Sequence, residues 1–329
     1  MKLLKLFLVA LFISSCNTAV TQNKSVLTKL RTFELPGVKG RIDHLSIDLK
    51  SNRLFVAALG NGTVEVINLN DGKDVHTIKD LREPQGVEYV AQSSLLFVTC
   101  AGDGKCRIFD ASNFKLLNQI QFESDADNIR YDNNKKIVYV GFGTGGIAAI
   151  DALTMKLLYK INLPAHPEAF QIDEKTGRMF VNVPGAGQLI VSDLNKKAVI
   201  TKINLKQRDN FPMALDTVNQ VIFIGTWDPP KLLLFDLKSL KLISEKNISQ
   251  DADDIYYDKA DSLIFVSCGS GYIDIFKQIN QKKIILKEKI KTLPGARTSL
   301  FVPELNKLFI AARNYNGQNA KIIEYSVNR

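Results

Sequence analysis

The chain has 329 residues, a formal net charge of +9 and four cysteines. A basic balance admits nucleic acid, anionic lipid or acidic glycan as partners. The lysines, however, sit mostly in turn-like clusters such as "NNKK", "LNKK" and "NQKK", and no run reaches five like charges, so no nucleic-acid partner is expected. No C-x-x-C-H occurs, which excludes covalently attached haem.

Lys2 and Lys5 precede an apolar run at 6–13 and then Ile13-Ser14-Ser15-Cys16. A positive start and a short apolar run make a secretory signal that is too short to span a bilayer. Its end resembles the lipobox of bacterial lipoproteins. That resemblance implies removal of residues 1–15 and acylation of Cys16, with 16–24 as a polar tether and a charge of +7 on what remains. Lipid on Cys16 would then anchor the protein in the cell envelope. Asn17 is not the aspartate that resembles an inner-membrane retention signal, so the outer membrane is preferred; its periplasmic side is the expected location and the surface the alternative. No later stretch is long and apolar enough to cross a membrane.

Seven apolar pairs then recur: Phe55-Val56, Phe97-Val98, Tyr139-Val140, Phe180-Val181, Phe223-Ile224, Phe265-Val266 and Phe309-Ile310. Their spacings of 42, 42, 41, 43, 42 and 44 residues announce a repeat array. Each repeat reads as an apolar strand, a Gly-rich turn, a second strand such as "CRIFD" or "LLLFD", and a more polar strand such as "KLLNQIQF". Four strands in each of seven repeats predict an all-β, seven-bladed β-propeller of antiparallel blades over 25–329. The last repeat has room for only three strands, "SLFVP", "KLFIAAR" and "KIIEYSV". The segment "SVLTKLRTFEL" at 25–35 would supply the fourth and close the ring. A monomer is expected.

The stretches "NRLFVAALGNGTVEVINLNDGK", "KKIVYVGFGTGGIAAIDALTMK" and "DSLIFVSCGSGYIDIF" resemble the YVTN-type propeller repeat. This family of exported proteins is similar in fold to the seven-bladed subunit of quinoprotein amine dehydrogenases. The resemblance covers 25–327 and implies the fold. It carries over no catalytic residue, because propellers host many unrelated activities.

The inner strands of most repeats end at aspartate: Asp48, Asp132, Asp173, Asp216 and Asp258. The four positions lying seven to four residues before that end read "RIDH", "EPQG", "DADN", "HPEA", "DNFP", "DADD" and "ARTS". They link each outer strand to the next inner strand, where ligands commonly enter a propeller channel. These 28 positions hold nine acids where the chain average gives about three: Asp43, Glu83, Asp125, Asp127, Glu168, Asp209, Asp251, Asp253 and Asp254. Arg41 and Arg297 oppose them, with His44, His166 and Asn128 alongside. Two readings stay open. Aspartates accept backbone N–H bonds at turns, and a turn recurs here in every repeat. Alternatively, crowded carboxylates form an electronegative mouth for an amine or a metal. Oxygen ligands suit calcium or magnesium, whereas His44, His166 and Glu168 with an aspartate suit a transition metal.

Two loops on the same face are not simple glycine turns, and from them Trp227 and Tyr315 offer either a stacking surface or a plug between blades. His76 reads as a surface residue. Cys100 and Cys106 flank one hairpin turn in "CAGDGKC" and are either a disulfide or, with Cys268, buried thiols. No G-x-S-x-G, Walker loop or H-E-x-x-H is present. The expectation is a lipid-anchored binding or scaffold module for a small molecule or a protein. The alternative is a metal-dependent propeller enzyme, lactonase- or lyase-like, with His44 or His166 as base.

Overall fold

The computed structural model describes residues 25–328, so the signal and tether, including Cys16, lie outside the described residues. The chain is a seven-bladed β-propeller. Seven four-stranded antiparallel sheets follow one another, six of them built from strands consecutive in sequence. Within each blade the strands step outward from the central channel to the perimeter. The first blade runs Leu45–Asp48, Arg53–Ala58, Thr63–Asn68 and Asp74–Ile78.

Sequence pattern and burial agree strand by strand. The second strands read as unbroken apolar runs because neighbouring blades cover both of their faces. All fourteen residues of the seven repeating pairs, from Phe55 to Ile310, are completely buried. The fourth strands alternate and stay half in water, as Leu116–Gln121 shows. The third and fourth strands are tied by a one-residue register shift in several blades, which adds to the twist.

The seventh blade joins both ends of the fold. Leu27–Leu35 pairs along Ala320–Val327, with Leu27 opposite Val327. Glu324 is fully buried between them. It ion-pairs with Arg31 of the closing strand and, at 2.5 Å, with Lys307 of the blade's second strand.

Cys100, Cys106 and Cys268 are buried free thiols. Register explains why the first two do not join: Cys106 sits opposite Thr99, and Cys100 opposite Lys105. Among the described residues no helix is long and apolar enough to cross a membrane.

Candidate functional site

The inner strands carry the mouth. In every blade the residue that ends the inner strand pairs with the residue five further on, as in Asp48 with Arg53 and Asp258 with Leu263. The seventh blade follows the same rule with Val302 opposite Lys307. This corrects the sequence alignment there by one residue, because Val302, not Pro303, occupies the aspartate position. Arg297 therefore stands in the same ring as Asp43, Asp127, Glu168 and Asp253, and Thr298 in the ring of His44, Asn128 and Asp254.

Two adjacent rings reach the channel because the ladder slips. Ordinary alternation would turn one of each pair away. Instead one extra residue is accommodated between Ala126 and Ile129, between Ala252 and Asp254, and at matching places in the second and fifth blades. In the first blade Asp43 N–H donates to Ala57 O, while Ala57 N–H donates to His44 O. Two residues thus oppose one, which is a β-bulge, and Glu168 and Ala169 repeat it across Asn182. The blade behind helps to hold each bulge. Buried Thr99 donates to Asp127 O, and Asn182 Nδ2 donates to Phe211 O (3.0 Å) and Pro212 O (3.1 Å). Gly86 gives room for this: a Cβ there would lie 2.5 Å from Asp127 O. A Cβ on Gly269 would lie 1.8 Å from Asp251 Oδ2, so glycine lets that carboxylate rest on the backbone.

The structure brings together most of the residues expected at the mouth. Arg41, Asp43, His44, Asp127, Asn128, Glu168 and Asp253 line one small cavity with Ala169 and Phe211. Asp43 is almost wholly buried, and neither of its carboxylate oxygens has a hydrogen-bond partner. Arg41 Nη2 stands 2.8 Å from Asp43 Oδ2 as an ion pair, without hydrogen-bond alignment, and 3.9 Å from Asp253. Arg297 bridges Asp251 (2.6 Å) and Asp253 (3.0 Å). Asn128 Oδ1 is a further buried oxygen without a partner. His166 Nδ1 lies 2.7 Å from Gly143 O, and its Nε2 lies 3.6 Å from Asp127. His44 sits between Asp43 and Asp254, 3.8 Å from each. Ligand atoms of Asp127, His166 and Glu168 lie within 4.8 Å of one another.

This crowding shifts the protons. Burial, more than its neighbours Asp253 and Asp127, pushes the Asp43 carboxyl up to about 8, against the pull of Arg41. Burial and then Asp127 push Glu168 up to about 9. Burial raises Asp254 to about 7, and burial also raises Asp125. For His166 burial alone would lower the value, but Asp127, the Gly143 carbonyl and Asp125 together raise it to about 9. His166 is therefore an imidazolium at neutral pH and is not available there as a base.

The two aromatic candidates separate. The Trp227 ring lies 4.1 Å from Phe211 and 5.5 Å from the Arg297 guanidinium, and its Nε1–H donates to Ala252 O (2.6 Å). It is a plug between the fifth and sixth blades rather than an open stacking surface. Tyr315 is exposed on its loop and lines neither channel cavity. Exposed His76 stacks on Phe114 at 4.2 Å. Sequence reasoning missed Glu88, Arg130, Gln171 and Tyr256, which line a larger cavity further along the channel. Their signal, a polar or charged residue two positions before the end of an inner strand, was legible but was not followed.

No protein-family profile matches the chain, and no curated protein matches it. Among solved structures it is similar to a chain in the crystal structure of a mitotic checkpoint complex, at 12% identity and a TM-score of 0.79 over 99% of both chains. It is also similar to a chain of Kuenenia stuttgartiensis hydrazine synthase, at 12% identity and a TM-score of 0.71 over 89% of this chain and 99% of the other. At such identities the likeness is one of fold, and the fold is a β-propeller.

Proposed function

We propose that this is an exported, lipid-anchored, YVTN-like binding propeller whose acidic mouth holds one divalent cation. The observation that carries the reading is Asp43, a buried carboxyl whose oxygens accept no hydrogen bond and whose nearest ion-pair contact is Arg41, in a cavity shared with Asp127, Glu168 and Asp253. A buried charge left without hydrogen bonds is costly, and a bound cation relieves it. The cavity has about 20 Å³ of free space, enough for a single water or bare ion, which needs roughly 10–15 Å³ on that scale. An amine-bearing metabolite or a sugar does not fit there. Oxygens of Asp127 and Glu168, within 4.8 Å of each other, with Asp43 and the amide oxygen of Asn128 lining the same cavity, offer oxygen ligands suited to calcium or magnesium. A second reading, zinc or a similar ion on Asp127, His166 and Glu168, draws on the Gly143 carbonyl beside His166 Nδ1, which would orient Nε2 toward a metal.

Lipid on Cys16 would leave the ring tethered on the periplasmic side of the outer membrane. The rim is proposed as a surface for protein partners, a use consistent with the neighbour found within a mitotic checkpoint complex. The raised proton affinity of His166 disfavours it as a base at neutral pH, which leaves the enzyme alternative resting on His44.

The test uses residues 17–329. Metal content is measured by mass spectrometry, and thermal unfolding is followed in EDTA and then with calcium, magnesium, manganese or zinc. About one equivalent of metal, or a Tm rise with calcium that the Asp43→Asn/Asp127→Asn protein lacks, is the expected result. Absence of bound metal together with no shift for any cation overturns the reading.

A further inference from the structure

Beyond His44 and Ala169, which line both cavities, the channel widens into a chamber of about 460 Å³ bounded by all seven inner strands. It reaches the face opposite the mouth at Thr217 and Lys259, just past the ends of their strands. Small-molecule sites occupy roughly 300–1,000 Å³, so this space, unlike the mouth, accepts a metabolite.

Of the charged groups on its wall, Asp254 faces His44 and Lys259 lies at the far rim, while Glu88 and Arg130 have opposite charges and do not pair. Arg130 makes one protein hydrogen bond, Nη1 to Ile129 O at 2.6 Å, and its guanidinium lies 5.8 Å from the Phe170 ring centre. No carboxylate among the described residues comes within ion-pair distance of it. Glu88, in the neighbouring blade, has neither a hydrogen bond nor an ion pair among the described residues. Arg130 is close enough to lower the Glu88 proton affinity, although burial outweighs it and raises the carboxyl to about 7. Arg130 also acts on Asp254 without pairing with it, so most of its fork of donors stays idle, and the group that matches that fork is a carboxylate. A carboxylate beside it calls for a cation or a donor. The remaining wall is mixed: Gln171 and Tyr256 are tethered to Met213 O (3.2 Å) and Ser299 O (2.9 Å), and Ala214 and Leu300 are apolar.

We propose that the chamber binds a small zwitterion of the amino-acid or dipeptide class, with its carboxylate on Arg130, its ammonium on Glu88 and its side chain against Ala214 and Leu300. Opposed charges too far apart to neutralise each other are complementary to a molecule that carries both charges at a fixed separation. A polyanion would leave Glu88 facing like charge, and a polyamine would do the same to Arg130. The inference uses residues deeper than the cation ligands and stands or falls without them.

The experiment applies saturation-transfer NMR and thermal shift to residues 17–329 with the standard amino acids and a set of dipeptides. Any binder is then compared with its N-acetyl and C-amide derivatives, each of which lacks one charge. At least one zwitterion is expected to bind at millimolar concentration or tighter, with each derivative weaker by about tenfold or more, as a lost charged hydrogen bond implies. Arg130→Gln and Glu88→Gln are each expected to weaken binding to a similar degree, and Asp151→Asn, in a turn cap that lines neither cavity, is expected to leave it unchanged. The derivative comparison needs no variant, so it decides the matter even if Arg130→Gln fails to fold. Absence of binding by every zwitterion, or derivatives that bind as well as the parent, overturns the proposal. Zwitterion binding that persists while no cation binds at the mouth removes the cation reading alone.

Discussion

The two ends of the channel use the same residue type in opposite ways. On the face away from the mouth, aspartates end the inner and third strands and each receives donors from the turn that follows. Asp48 accepts Lys50 N–H and Ser51 N–H and pairs with Arg53 at 2.8 Å. Asp151 accepts Leu153 N–H and Thr154 N–H. The strongest donors of these turns, Ser112 for Asp110, Thr154 for Asp151, Lys196 for Asp193 and Ser239 for Asp236, hold the carboxyls below their ordinary value. At the mouth the resolved shifts of the acids run upward, and of Asp43, Asp127, Glu168 and Asp254 only Asp254 receives a backbone N–H on its carboxylate among the described residues, that of Ser299 at 2.7 Å. An aspartate near a turn is a cap when N–H groups converge on it and is left open to a cation when they do not. Composition and position in the repeat do not separate the two.

Stability against pH is the broadest way to break that contrast. Asp43, Glu168 and Asp254 bind their protons more tightly when folded than when unfolded, so the folded state carries extra protons from about pH 4 up to their raised values near 8, 9 and 7. Stability without metal should therefore fall as pH rises across that window, by up to about 1.4 kcal/mol per pH unit for each group. His166, raised from 6.5 to about 9, acts in the same sense: its contribution is complete below 6.5 and lost by about 9. Calcium competes with those protons, so the calcium-induced Tm rise should be larger at pH 8.5 than at pH 5.5. A Tm that climbs with pH in EDTA would contradict the raised values.

Single substitutions sharpen the comparison. Asp48→Ala removes a buried partner of Arg53 and two turn bonds, and denaturant unfolding should show a loss of about 3 kcal/mol. Asp43→Asn at the mouth should have the opposite sign in EDTA, a gain of roughly 1–3 kcal/mol from discharging an unbonded carboxylate, together with loss of the calcium response. Asp151→Ala, a half-exposed cap, should cost only about 0.5–1 kcal/mol and leave cation binding untouched. If Asp43→Asn destabilised as Asp48→Ala does, the mouth would be another tier of caps.

Much of this was legible in the chain. The 42-residue period gave blade count and closure because every blade needs an apolar second strand, and Phe55, Phe97 and Phe309 mark it directly. The acidic mouth was legible because its segments fall at a constant distance from the end of a strand. The bulge was not, since an extra residue in one strand leaves no compositional trace, and without it His44, Asn128 and Asp254 would be assigned to the wrong face. Where Val302 replaces the repeating aspartate, the alignment lost its marker and slipped by one. Trp227 was ambiguous for a different reason: plug and platform need the same ring, and only Phe211, Arg297 and the Ala252 carbonyl reveal that the ring is covered. Glu88 and Arg130 look like ordinary surface charges until seven strands are seen to enclose them.

The closing strand sets the order in which the molecule becomes whole. Six blades need only strands that are neighbours in sequence, and such local pairings form early. The seventh must wait until the stretch Ala320–Val327 exists and meets Leu27–Leu35 from the other end of the fold, with Arg31 and Lys307 arriving together on Glu324. Until that meeting the ring has two open edges, each able to accept the corresponding strand of another copy. Ring closure and strand exchange therefore compete for the same two edges, and an exchanged dimer would satisfy the same pairing of Leu27–Leu35 with Ala320–Val327.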